Sequence, residues 1–365
     1  MKFIFRCDSS LEIGTGHVVR CLTLADSIRL RGAEVEFISR ELKGNIIAEI
    51  ERRGFVVHKL PYKFIERDDA SLLETSHSQW LGVPLNQEIE EIQRVLSNNA
   101  LLDWLIVDHY ALDSVWEQVM RRYAKRIMVI DDLADRKHDC DILLDQNLYE
   151  NMGTRYDNLV AQSCVKFLGP KYSLLRPEFV KARNGLRKRD GNVHRIVVFF
   201  GGADKTNETT KALDAIILLN QPNIEIDVIV GASNPHAESI RKRCKEISNC
   251  NYYYNISTMA EVMAKADLAI GAGGTSTWER CCLGLPSLIV SVADNQKQLA
   301  EDAHRIGYAI YIVEHSSVSA EILFQTLRQT LHNNVMLNKM SKKCFEITDA
   351  HGVERISDKL LLENF

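Results

Sequence analysis

Lys2-Phe3-Ile4-Phe5-Arg6-Cys7-Asp8, followed closely by Gly14-Thr15-Gly16-His17-Val18-Val19-Arg20, carries the chain from an apolar strand through a glycine turn into a helical pattern. That order decides the fold class, because strand, glycine turn and helix make the opening unit of an α/β sheet. Apolar residues at Val18, Cys21, Leu22, Ala25 and Ile28 line one helix face at period 3.6. Glycines at 14 and 16 allow a sharp turn with positive φ and let a phosphate or sugar come close to the backbone, while the helix start aims free N–H groups at the ligand. His17 falls in that first turn. The helix dipole and Arg20 both disfavour a second positive charge there, so a neutral imidazole is expected, the form a general base needs. The same placement also suits a helix cap or a hydrogen-bonded structural histidine. The dinucleotide fingerprint fails, since Val19 and Arg20 stand near its third glycine position, which disfavours a nicotinamide or flavin enzyme.

Working outward, Val35-Glu36-Phe37-Ile38, Trp104-Leu105-Ile106-Val107-Asp108 and Ile127-Met128-Val129-Ile130-Asp131 read as buried parallel strands separated by helical stretches. Two of them end in carboxylates, Asp108 and then Asp131-Asp132, at the edge where ligands of open α/β sheets bind. A helix cap or a surface turn explains either acid equally well. Further candidate strands lie at residues 226–230, 252–254, 268–271, 287–291 and 309–313. With 365 residues the chain exceeds what one core comfortably holds, about 250–300 residues, so two domains with a cleft between them are expected. The stretch Lys181-Ala182-Arg183-Asn184-Gly185-Leu186-Arg187-Lys188-Arg189 has no interleaved aromatics and reads as a solvated linker rather than a nucleic-acid patch. After it, Arg195-Ile196-Val197-Val198-Phe199-Phe200-Gly201-Gly202-Ala203-Asp204 restarts the strand-then-glycine design. The expected domains are therefore residues 1–180 and 195–365, joined by a linker at 181–194, with a last helix able to pack back on the first domain.

Composition narrows the function classes. A net charge of −4 with 45% hydrophobic residues fits a soluble globular protein and gives no sign of nucleic-acid binding. Nine scattered cysteines without a C-x-x-C pair indicate neither a zinc site nor a disulfide framework, which suits a reducing cytoplasm. Arg6 and Asp8 interrupt the opening apolar run before a signal-peptide core forms, and no segment nears the roughly 18 apolar residues of a membrane span. No metal-ligand cluster, cofactor motif or obligate protein partner is indicated, and without a P-loop lysine, phosphoryl transfer from ATP is disfavoured.

A second glycine site reads Asp267-Leu268-Ala269-Ile270-Gly271-Ala272-Gly273-Gly274-Thr275-Ser276-Thr277-Trp278-Glu279. Its glycines clear space at a strand end, the hydroxyls of Thr275, Ser276 and Thr277 surround a helix start, and the free amides suit a diphosphate. Glu279, about one turn in, is placed to take the two hydroxyls of a ribose. Such a nest also occurs at ordinary helix starts, where the dipole alone favours a glutamate. Gly201-Gly202 with Asp204-Lys205-Thr206-Asn207 on a neighbouring strand end forms a second anion nest, and the pair favours nucleotide binding. Asp294-Asn295-Gln296 offers polar groups to sugar hydroxyls or phosphate, or else a cap through Asp294. The run Tyr252-Tyr253-Tyr254 reads as a buried strand rather than a stacking platform, and the backbone near Ile256 after it suits a pyrimidine edge.

These segments carry a resemblance. The opening F-R-C-D-S-S-L-E-I-G-T-G-H-V-V-R-C-L-T-L-A, L-L-D-Q-N-L at 143–148, L-L-R-P-E-F at 174–179, F-F-G-G-A-D at 199–204 and G-A-G-G-T-S-T-W-E-R at 271–280 resemble the PseG family of UDP-2,4-diacetamido-2,4,6-trideoxy-β-L-altropyranose hydrolases of pseudaminic acid biosynthesis. The likeness spans nearly the whole chain in order. It implies a GT-B fold like that of the MurG-type glycosyltransferases, two Rossmann-like domains with parallel sheets facing a cleft and the nucleotide held mainly by the second. It also implies that His17 is the general base, with Gly14 and Gly16 near the sugar and diphosphate, and that Gly202, Gly273, Gly274, Thr275 and Glu279 hold the UDP. Asp8, Arg20, Asp108, Asn147, Gly201 and the 294–296 turn join them as candidate substrate contacts. Cys7 and Val19 depart from the family's usual small residue and methionine as packing changes. Residues 69–87 match nothing and read as a surface insertion or loop.

The expected reaction is attack by His17-activated water on the anomeric carbon with inversion, metal-independent, amides neutralising the leaving UDP. Two alternatives stand beside it, a glycosyltransferase using an acceptor hydroxyl on the same scaffold and a non-catalytic nucleotide-sugar sensor.

Overall fold

A computed structural model of the chain describes residues 1–62, 77–98 and 100–362. Two compact units divide them: residues 1–147, 151–174 and the segment from Gly352 onward make the first, residues 148–150 and 175–351 the second.

In the first unit, β1 (Lys2–Cys7), β2 (Glu34–Arg40), β3 (Val56–Leu60), β4 (Leu102–Asp108), β5 (Ala124–Ile130), β6 (Ile142–Asp145) and β7 (Val165–Leu168) form one parallel sheet in the order β3-β2-β1-β4-β5-β6-β7. Alternation along β1 sends Phe3, Phe5 and Cys7 into a core shared with Val18, Cys21, Leu22, Ala25 and Ile28 of the Gly16–Leu30 helix. Ile4 faces the opposite core with Ile38, Leu105 and Val107. Both sheet faces are therefore covered, as an all-parallel sheet requires. The Gly352–Leu361 helix packs in the first of these cores through Ile356 and Leu360, and Trp104 Nε1 donates to the Leu360 carbonyl at 3.0 Å. This last helix thus belongs to the first unit, and the unit boundary falls between Leu174 and Leu175.

The second unit carries β8 (Arg195–Phe199), β9 (Glu225–Val230), β10 (Cys250–Tyr254), β11 (Leu268–Ala272), β12 (Ser287–Ser291) and β13 (Ile310–Glu314), also parallel, ordered β10-β9-β8-β11-β12-β13. In both sheets the strand order reverses beside the first strand, between β1 and β4 and between β8 and β11. Loops leave the carboxyl ends of such a pair in opposite directions and open a crevice there, the place where doubly wound sheets bind ligands.

Three readings of the sequence need correction. Residues 181–189 are a solvated linker only in part: Lys181, Asn184, Gly185, Arg187 and Lys188 are exposed, but the Pro177–Asn184 helix takes in the first four positions, Arg183 donates to the Cys282 carbonyl, and the buried Arg189 donates to the carbonyls of Ala266 and Gly284. Guanidinium groups satisfying carbonyls at helix and loop ends look, in sequence, the same as a solvated basic run. The tyrosines of β10 lie on an edge strand, not a buried one, and Tyr254 is half exposed. Residues 69–76 lie outside the described residues, but 77–87 are not a surface insertion, because Leu81 and Val83 are buried in the core and a helix begins at Leu85.

Candidate functional site

At the β1/β4 crevice the backbone leaves Cys7, turns through Gly14 at φ +77°, and enters its helix at Gly16. The left-handed conformation is confined to Gly14, whereas Gly16 is helical. Thr15 makes no side-chain cap, so the amides at this helix start are not closed by their own N-cap residue. His17, one residue in, lies beside the end of β4, where its Nδ1 is 2.6 Å from Asp108 Oδ1. Arg20, one turn further along the same helix face, donates from Nε to Asp108 Oδ2 and from Nη2 to Oδ1, both at 2.6 Å. Burial alone would raise the Asp108 carboxyl, but Arg20 and His17 hold it well below the ordinary carboxylate range. An ionised Asp108 only accepts hydrogen bonds, so His17 donates from Nδ1, and Nε2 is the ring nitrogen the carboxylate does not engage. Arg20 is paired with Asp108 and Asp132, and its Nη2 also lies 3.3 Å from His17 Nδ1, so carboxylate and guanidinium both border the imidazole.

Asp108 is fully buried with both oxygens engaged by His17 and Arg20, which leaves it no exposed surface for a ligand. Asp8 is likewise withdrawn. Its carboxylate takes Arg6 Nη1 at 2.6 Å and the Arg40 amide at 2.7 Å, with His109 Nε2 at 3.2 Å, and no part of it is exposed. Burial opposes ionisation, yet Arg6 and His109 keep the Asp8 carboxyl far below its usual range. Arg6 and Arg40 both continue to Glu88 of the Leu85–Leu96 helix, so Asp8 anchors a buried ion network and has no surface for substrate. Asn147 is also buried, its amide donating to Asp145 Oδ1 at 2.9 Å.

Residues missed in the sequence complete this face. Tyr110 hydrogen-bonds Asp132 through its hydroxyl, and Arg20 Nη1 donates to the same carboxylate at 3.1 Å. The Tyr110 ring meets the His17 ring edge-on at 4.6 Å, and Trp80 stacks on Tyr110 at 5.3 Å. Nothing in the local pattern of residues 77–80 pointed to a site, because these contacts join segments far apart in sequence.

At the β8/β11 crevice of the second unit, Gly201 adopts φ +91°. A Cβ on Gly231 would lie 2.4 Å from the Gly202 carbonyl oxygen, and one on Gly271 2.3 Å from that of Phe199, so glycine is required for these backbones to pass so close. β11 ends at Ala272 and the Ser276–Cys282 helix follows, with Gly274, Thr275 and Ser276 half exposed and Gly273 and Thr277 buried. Arg280 ties this turn together, donating to the Ala272 carbonyl at 2.8 Å, Ser276 Oγ at 3.1 Å and Thr277 Oγ1 at 3.0 Å. The Thr277 hydroxyl therefore serves Arg280 from within the core. Gln296 borders both glycines, its Oε1 accepting from the Val292 amide at 3.2 Å, while Asn295 is exposed and Ile256 half-buried.

Two features of this unit differ from the sequence reading. Glu279 is largely buried, and Arg176 donates to its Oε1 from Nε at 3.0 Å and Nη2 at 2.9 Å, so a ribose contact has to share this carboxylate with a guanidinium. Arg176 stood in the sequence within L-L-R-P-E-F, the signal by which it was findable. Asp204, three residues before the N-cap Asn207, turns its carboxylate onto the start of the Glu208–Leu219 helix, accepting from the Glu208 amide at 2.9 Å and the Thr209 amide at 3.1 Å. Those amides are already satisfied by a carboxylate, so the expected second anion nest shrinks to Gly201 and Gly202.

Among the described residues no group of three or more His, Cys, Asp or Glu could hold a metal ion, and no helix is long and apolar enough to cross a membrane.

Residues 195–358 match the glycosyltransferase family 28 C-terminal domain. An uncharacterized protein of Methanocaldococcus jannaschii is 25% identical over 83% of the chain, which spans only 58% of that relative's length. The UDP-2,4-diacetamido-2,4,6-trideoxy-beta-L-altropyranose hydrolase of Campylobacter jejuni is 26% identical over 85% of the chain and 98% of its own. Among solved structures, Acinetobacter baumannii MurG superposes with a TM-score of 0.65 at 14% identity, covering 99% of each chain. The fold is thus of the GT-B glycosyltransferase type, with its two parallel sheets of seven and six strands.

Proposed function

We propose that the chain hydrolyses a UDP-linked 2,4-diacetamido-2,4,6-trideoxy sugar to UDP and the free sugar, as a step of pseudaminic acid biosynthesis. The observation that carries this reading is the 2.6 Å pairing of His17 Nδ1 with Asp108. An ionised carboxylate holding Nδ1–H leaves Nε2 to take a proton, and it stabilises the imidazolium that results. In the reaction a water oxygen bonds to the anomeric carbon as the bond from that carbon to the diphosphate breaks; the water proton passes to His17 and UDP leaves with the bonding pair. UDP is a good leaving group once backbone amides match its charge. The reading assigns that task to Gly201, Gly202 and the 273–276 turn of the second unit, and it assigns the ribose to Glu279. Likeness to the Campylobacter jejuni hydrolase over most of both chains supports the choice of substrate.

A glycosyltransferase is the second reading, favoured by the family 28 domain match at residues 195–358 and the MurG-like fold. The two separate when the purified protein is incubated with the UDP-sugar and no acceptor, and UDP is followed by nuclear magnetic resonance. Stoichiometric UDP and free sugar are expected. Release only on addition of an acceptor alcohol favours the transferase, and binding without turnover favours a sensor.

A further inference from the structure

Trp80 stands beside the candidate base from a segment whose sequence pointed to no site. Its indole stacks on the Tyr110 ring at 5.3 Å and 26°, and both rings meet His17 nearly at right angles, Tyr110 at 4.6 Å and Trp80 at 6.1 Å. His77 closes another side of the stack, edge-on to Trp80 at 4.7 Å and to Tyr110 at 5.4 Å. The Tyr110 ring is itself fixed, since its hydroxyl is bound to Asp132, which also takes Arg20. As a result His17 is only 7% exposed, although it sits at the start of a helix whose neighbours Gly14, Thr15 and Gly16 are half exposed.

We propose that Trp80 is a specificity-determining residue that sets the nucleophile: together with Tyr110 it screens His17 so that water reaches the imidazole and a larger acceptor alcohol does not. This rests on the assignment of His17 as the base. A side chain with so little accessible surface admits a water-sized partner, whereas an alcohol carrying several carbons needs the volume that the indole fills. Transfer and hydrolysis share every other step. In each an oxygen bonds to the anomeric carbon, the carbon–oxygen bond to the diphosphate breaks, and the proton of the incoming hydroxyl passes to His17. What differs is the size of the group behind that oxygen, and Trp80 is the residue that reads it. The other three tryptophans, Trp104, Trp116 and Trp278, are fully buried in the cores, so Trp80 alone among the indoles is placed to do so.

Two measurements test the proposal with the whole chain and its Trp80→Ala and Trp80→Phe variants. The first is the rate of carbethoxylation of His17 by diethyl pyrocarbonate, followed by peptide mass mapping, which needs no turnover. Trp80→Ala is expected to accelerate it about tenfold or more, and Trp80→Phe to stay near the wild-type rate, a steric difference of the size pockets commonly enforce. The second is the ratio of glyceryl glycoside to free sugar formed from the UDP-sugar in buffer containing glycerol. Trp80→Ala is expected to raise that ratio about tenfold while Trp80→Phe restores it. Unchanged labelling of His17 in Trp80→Ala overturns the shielding, and an unchanged product ratio with UDP still released overturns the selectivity. Failure of the wild-type protein to release UDP at all counts against the hydrolase reading, and the labelling result decides the shielding separately.

Discussion

His17 and Asp108 lie 91 residues apart in sequence, yet Nδ1 of one is 2.6 Å from Oδ1 of the other, because β1 and β4 are hydrogen-bonded neighbours with Cys7 directly beside Asp108. The helix following β1 then starts over the end of β4. The pairing orients the imidazole, and Arg20, holding both oxygens of the same carboxylate, keeps that carboxylate charged and in place.

Asp108→Asn keeps the shape but no longer holds the Nδ1–H tautomer, so kcat is expected to fall about 10²–10⁴-fold with UDP affinity nearly unchanged. Arg20 also loses the closer of its two carboxylate partners, Asp132 being the other, and the variant should unfold at a lower temperature. Steady-state kinetics on the folded protein check the first effect and thermal denaturation the second. A near-wild-type kcat removes Asp108 from the mechanism.

Glu279→Ala is expected to weaken UDP binding by about 1–3 kcal/mol, the size of a lost charge-assisted hydrogen bond. Because Arg176 shares this carboxylate, titration calorimetry should be paired with Arg176→Ala. If Glu279 serves only as the partner of Arg176, both variants lose stability alike and neither changes the affinity for UDP.

The Asp145 carboxyl, at the end of β6, is pushed up to about 8 by burial and by the nearby Asp132 charge. Between about pH 4 and pH 8 the folded chain holds a proton there that the unfolded chain has lost. Its stabilising contribution is therefore complete below about pH 4, falls as pH rises and is gone above about pH 8, with a slope of at most about 1.4 kcal/mol per unit. Asp145→Asn, which cannot ionise, should flatten that slope in urea denaturation across this range. An equally steep fall in the variant assigns the effect to other groups.

Ile356→Ala in the last helix removes a fully buried side chain from the core beside the Gly16–Leu30 helix and should cost the first unit about 2–5 kcal/mol. Calorimetric unfolding is expected to show a lower transition for that unit, with UDP affinity unaltered. A stability equal to wild type would mean that this helix contributes little to the core.

The sheets were legible in the sequence where strands are buried on both faces, since segments such as Leu105-Ile106-Val107 and Leu288-Ile289-Val290 have no polar side to hide them. β3 escaped notice because Val56-Val57-His58-Lys59-Leu60 forms a sheet edge with mixed polarity, and β6 and β7 because four residues are too few for a periodic signal. At the sites, glycine turns and the histidine stood out because their chemistry is local. Asp108 was visible as a strand-end acid, but its pairing with His17 depends on strand order, which no local pattern encodes. Asp8 looked equally suited to substrate until Arg6 and Arg40 were seen to enclose it.

Reaction in ¹⁸O-labelled water, followed by mass spectrometry of both products, separates attack of His17-activated water on carbon from attack on phosphorus. The label is expected in the free sugar and none in the UDP, with His17→Ala lowering the rate of labelling about 10²–10⁴-fold. Label in the UDP phosphate would place the attack on phosphorus and contradict attack on carbon.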